Sequence, residues 1–120
     1  MFKIDSFVLY VTDVSKSKHF YASIFECEPN VLSPTFVALD FADNVTITLK
    51  QRDALTPKST ITGGGTELSM PVTDKSTLDE LYQSWIEKGV EFVQHPESSI
   101  FGVNFVAVDP DGHRIRVFAG

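Results

Sequence analysis

Val11-Thr12-Asp13-Val14-Ser15 and Val72-Thr73-Asp74-Lys75-Ser76 agree at four of five positions, 61 apart. The match runs on, with Tyr21 falling on Tyr82 and Ser23 on Ser84. A second match pairs Phe36-Val37-Ala38-Leu39-Asp40 with Phe105-Val106-Ala107-Val108-Asp109 at a spacing of 69. The larger spacing implies a short insertion before the third strand of the second copy. Self-similarity at a near-constant spacing marks a repeated supersecondary unit. Two copies of one unit commonly build one site, so the repeat says where function should be sought.

Each copy of the repeat reads as the same order of elements. Ile4–Val11 is rich in β-branched and aromatic residues and predicts a strand. Thr12, Asp13 and Ser15 supply capping oxygens, so a helix starts near Val14 or Ser15. Phe20, Tyr21, Ile24 and Phe25 recur at helical spacing, and Glu28-Pro29-Asn30 ends the helix. Strands are predicted at Val31–Ser33, Phe36–Phe41 and Val45–Lys50, with Asp43-Asn44 as a turn. The second copy gives a strand at Thr66–Val72 and a helix whose apolar face is Leu78, Leu81, Tyr82, Trp85 and Ile86. Gly89 stops that helix. Strands follow at Glu91–Gln94, Val103–Val108 and Arg114–Phe118, with the turn Asp109-Pro110-Asp111-Gly112. The expectation is one α+β domain over residues 1–120. It consists of two tandem βαβββ modules, about 1–50 and about 66–120, joined by a linker of about 51–65. Gly63-Gly64-Gly65 in the linker lacks the Lys-Ser/Thr of a phosphate loop.

Composition narrows the function classes. A chain of 120 residues, 42% hydrophobic and 22% charged, can bury a real core and is not of the disordered type. Its net charge of −6 argues against nucleic acid and mildly favours neutral or cationic ligands. No apolar stretch approaches the roughly 20 residues of a membrane span, and Met1-Phe2-Lys3-Ile4-Asp5 does not begin a signal peptide. A single cysteine, Cys27, forms no internal disulfide, and a reducing cytoplasm is the expected compartment.

Strand alternation separates two faces. Phe7, Leu9 and Val11 lie on one side of the first strand, with Ser6, Val8 and Tyr10 on the other. Leu68, Met70 and Val72 match the first set, and Glu67, Ser69 and Pro71 the second. The apolar sets should pack under each module's own helix. The mixed sets face something else, and they are the candidate site.

The stretch from Phe7 to Ser17 followed by Phe20-Tyr21, together with Asp109-Pro110-Asp111-Gly112-His113-Arg114-Ile115-Arg116-Val117, resembles the vicinal oxygen chelate superfamily of glyoxalase I, bleomycin-resistance proteins and extradiol dioxygenases. The resemblance implies that the two modules curl a mixed sheet into a cup with the helices outside. It also implies inward His, Gln or Glu ligands for a divalent metal on the first and last strand of each module. Those positions correspond here to Ser6, Thr48, Glu67 and Arg116. Hydroxyls are poor ligands and a guanidinium cannot coordinate a cation, so no metal and no cofactor is expected. His19, His95 and His113 lie on separate elements without ligand spacing. On the superposition, Glu67 and Arg116 would enter the cup from opposite modules and pair in place of the metal.

Ten phenylalanines, three tyrosines and one tryptophan exceed what a core of this size needs. Tyr10, Phe36, Phe101, Phe105 and Phe118, on or beside strands, are the aromatics expected to line a hydrophobic groove; the candidate ligand-binding set is Ser6, Tyr10, Phe36, Thr48, Glu67, Phe101, Phe105 and Arg116. The resemblance implies a homodimer that sequesters an antibiotic-like or aromatic small molecule, in the manner of bleomycin-resistance proteins. Two alternatives stand beside it. One is a divergent lyase, isomerase or dioxygenase using Glu67 as a base, its pKa raised by burial; the other is a non-catalytic regulatory module.

Overall fold

The computed structural model describes all 120 residues and contains two compact units, Met1–Gly63 and Gly64–Gly120. The division falls inside the predicted linker, at glycines whose backbone (φ 102° at Gly64, 85° at Gly65) lies in the left-handed region. No helix is long and apolar enough to cross a membrane.

The first unit runs β1 (Phe7–Val11), α1 (Val14–Phe25), β2 (Asn30–Ser33), β3 (Phe36–Ala42) and β4 (Val45–Gln51), followed by a short 3-10 turn, Arg52–Ala54. Its sheet has the order β1-β4-β3-β2, with β1 parallel to β4 and the other pairs antiparallel. The Asp13 carboxylate caps α1, accepting from the Ser15 and Lys16 amides at 3.0 and 3.2 Å. Gln51 Oε1 takes the Val14 amide at 3.3 Å. Three of the four free amides of the first turn are thereby engaged. Leu9, Val11, Val37, Leu39, Ile47 and Leu49 form the buried sheet face, with Val14, Tyr21 and Ile24 of α1 also buried. Phe25 stacks on Phe41 at 4.0 Å between ring centres and ties the helix end to β3. Asn44 turns β3 into β4 with φ 60°, a left-handed position that asparagine tolerates. β1 begins at Phe7, not at Ile4, and Ile4 stands exposed ahead of the paired strip.

The second unit repeats the plan with β5 (Glu67–Pro71), α2 (Lys75–Glu87), β6 (Glu91–Ser99), β7 (Gly102–Val108) and β8 (Arg114–Ala119). The sheet order is β5-β8-β7-β6, with β5 parallel to β8. Asp74 caps α2 through the Thr77 amide at 2.7 Å, and that bond holds the Asp74 carboxyl below its ordinary pKa. Beneath α2, Phe105 packs against Tyr82, Trp85 and Phe92 with ring centres 5.5 to 5.6 Å apart. β6 is longer than the expected Glu91–Gln94. Register shifts around Gln94 and Glu97 absorb His95-Pro96, whose proline cannot donate to a ladder, and pairing with β7 then continues to Ser99. The fold is therefore α+β, two helices and eight strands in two four-stranded mixed sheets.

Candidate functional site

Each sheet has one face packed under its helix and one face without a helix. In the second unit, the helix-free face carries a chain of hydrogen bonds with one residue from each strand. Glu67 on β5 accepts from Arg116 Nε on β8, at 3.1 Å to Oε1 and 3.3 Å to Oε2. Arg116 Nη1 donates to Asn104 Oδ1 on β7 at 2.6 Å, and Gln94 Nε2 on β6 donates to the same oxygen at 2.8 Å. The register explains the reach. Glu67 pairs with Arg114 and Asn104 with Phe118, so Arg116 lies between them and bridges both diagonals. The side chains of Arg116 and Glu67 are 30% and 36% exposed, so the pair is wet on one side. The burial that a base role for Glu67 requires is absent.

In the first unit, Tyr10 pairs with Lys50 and Lys50 with Phe36, which gives a row across β1, β4 and β3 on the helix-free face. The Lys50 ammonium sits 5.2 Å from the centre of the Phe36 ring. One pair along, Thr48 lies between Val8 and Ala38. Thr48 is only 4% exposed, and its hydroxyl has no hydrogen-bond partner. Ser6 precedes β1 and is half-buried.

Two expectations are corrected here. Glu67 and Arg116 do pair, but not from opposite modules. Both belong to the second unit, because the crossover places each module's first strand beside its last. Phe105 does not line the helix-free face; it is fully buried under α2. The reason is register. Val37 pairs with Leu49 and Phe105 with Val117, so Phe105 is the counterpart of Val37, at a spacing of 68 and not 69. A slip of one residue turns every side chain to the other face. The true counterpart of Phe36 is Asn104. Phe101 stands at the tip of the β6–β7 hairpin, 83% exposed. Asn104 and Gln94 were missed from sequence, since a neutral amide on a strand carries no signal until its neighbours are known.

The remaining reactive side chains are engaged elsewhere. His113 and Asp109 are buried together, with His113 Nδ1 2.7 Å from Asp109 Oδ2. The Asp109 carboxylate also takes the Asp111 and His113 amides, which fixes the β7–β8 turn. His95 hydrogen-bonds the Tyr82 hydroxyl at 2.6 Å, and His19 Nδ1 bonds the Ser15 carbonyl. Partial burial raises the Cys27 thiol pKa, and a protonated thiol is a poor nucleophile. No three His, Cys, Asp or Glu side chains converge as metal ligands. Ser6, Thr48 and Arg116 do not fit a divalent cation, and the one carboxylate of the set is taken by Arg116.

Comparison with known proteins places this architecture. The chain is 26% identical over 117 residues to the phenazine antibiotic resistance protein EhpR of Enterobacter agglomerans, spanning 92% of this chain and 86% of that one. The solution structure of protein ATC0852 from Agrobacterium tumefaciens matches with a TM-score of 0.87 at 37% identity, over 99% of this chain and 98% of that one. The fosfomycin resistance protein FosX of Listeria monocytogenes shares the fold, with a TM-score of 0.78 at 20% identity over 100% and 94% of the two chains. Residues 3–117 match the family model, and the chain belongs to the Glyoxalase/Bleomycin resistance protein/Dioxygenase superfamily.

Proposed function

We propose that this protein binds a hydrophobic aromatic small molecule of the antibiotic type and removes it from solution by stoichiometric binding, without a metal and without bond cleavage. The observation that carries this reading is the Glu67–Arg116 pair. At the positions where the superfamily's enzymes would place metal ligands, the first unit carries two hydroxyls, and the second a carboxylate already neutralised by a guanidinium. Such groups can orient a ligand by hydrogen bonds, but they cannot polarise one as a bound cation does. Tyr10 and Phe36 supply exposed or half-buried ring surface on a helix-free face, the kind of surface on which planar molecules stack. Similarity to a phenazine antibiotic resistance protein supports an aromatic, antibiotic-like ligand. The functional unit in this reading is a cytoplasmic homodimer.

The test is a titration with phenazine, following the melting temperature and then recovering the ligand for mass analysis. A saturable rise in melting temperature with the ligand recovered unchanged is expected, since a molecule that binds only the folded state stabilises it. A mass change in the recovered ligand would replace sequestration with catalysis. No shift at any concentration up to the solubility limit would remove the binding reading. Sedimentation equilibrium of the same sample checks the dimer.

A further inference from the structure

We infer that the helix-free face of the first sheet is a seat for an aromatic carboxylate, with Lys50 receiving the acid group and Phe36 and Tyr10 holding the ring. The inference rests on the binding reading above and names the ligand's charge. Lys50 is the one Lys or Arg on the four strands of this sheet. It sits in register between Tyr10 and Phe36, with its ammonium over the Phe36 ring and no carboxylate bonded to it. A cation held only by a ring face keeps its hydrogen-bonding capacity for an incoming anion.

A second observation points to the same place. The Thr48 hydroxyl is buried and unpartnered on that face, two residues along β4 from Lys50. Buried polar groups ordinarily find a partner, and one left without, as Thr48 and Ser17 are, keeps a donor free for an added group. A carboxylate has two oxygens and several lone pairs, so it can accept from the Lys50 ammonium and from the Thr48 hydroxyl together. The ring attached to it would lie over Phe36 and Tyr10. The second unit has no equivalent seat, because the counterparts of Lys50 and Phe36 there are Phe118 and Asn104, and Asn104 is already bonded to Arg116. The chain's net charge of −6 favours cationic or neutral ligands at long range, but that field is screened by salt, and a lysine ammonium beside the Phe36 ring acts at contact.

The experiment compares three probes with one ring system: phenazine-1-carboxylate, neutral phenazine and the N-methylphenazinium cation. Affinities are measured calorimetrically on the wild type and on K50M, K50R and T48V. The expected order is carboxylate tightest, by about tenfold over phenazine, with the cation weakest. K50M should erase the carboxylate's advantage over phenazine, and K50R should restore most of it. T48V should weaken carboxylate binding several-fold without lowering the melting temperature, because the hydroxyl it removes bonds nothing in the free protein. If phenazine binds but the carboxylate gains nothing, or K50M leaves its advantage intact, the inference is overturned and the binding reading survives. If none of the three binds, both fall.

Discussion

Arg116 is the residue on which the second sheet's open face turns. Its planar fork donates Nε to Glu67 and Nη1 to Asn104, and Asn104 in turn takes Gln94. A guanidinium without Glu67 would keep the Asn104 bond, so the loss on Glu67→Ala should be modest. A double-mutant cycle of Glu67→Ala with Arg116→Ala, measured by urea denaturation, should give a coupling of about 0.5–1 kcal/mol, with solvent exposure of both side chains limiting it. The coupling should shrink in 1 M salt, roughly as a Debye length of about 3 Å requires. A coupling of zero at low salt would mean that the pair is not formed in solution. The pairing was expected from the family resemblance, but across the two modules; that both residues share one sheet follows from the crossover that sets β5 beside β8. Its extension to Asn104 and Gln94 was not legible in the sequence, since that depends on which residue of β7 stands diagonal to Arg116.

At the level of elements, the two helices and the strands that flank them were readable for a local reason. Asp13 and Asp74 cap the helices through backbone amides only two to three residues away, so the signal and the structure lie in the same short window. Strand register is not local. The match of Phe36–Asp40 with Phe105–Asp109, identical at four of five positions, lies one residue out of structural step, and it misplaced Phe105 by a whole face. The β6–β7 hairpin carries a further constraint that no pattern announces. Gly102 adopts φ 115°, and a Cβ there would clash with the Ala119 carbonyl oxygen on β8. Both the backbone conformation and the close approach of the neighbouring strand require glycine. Gly102→Ala should therefore destabilise the protein by about 2–4 kcal/mol in chemical denaturation. Gly64→Ala, with nothing within 4 Å of its Cβ and strained only by its φ, should cost less. Equal losses at the two positions would show that β7 and β8 do not approach so closely.

Across the whole molecule, duplication has kept the frame and changed what the frame presents. Both units have the same strand order and the same capped helix, yet their helix-free faces differ in kind. One holds Tyr10, Lys50, Phe36 and an unsatisfied Thr48; the other closes its polar groups on one another through Glu67, Arg116, Asn104 and Gln94. Neither presents a ligand set for a divalent ion. The proposed binding therefore needs no metal, and a binding isotherm checks this. Phenazine is titrated into protein exhaustively treated with EDTA, and into the same protein supplied with zinc, nickel or manganese. The same dissociation constant in every sample, with the ligand recovered intact, is the expected result. Binding abolished by the chelator and restored by one of the metals would contradict it.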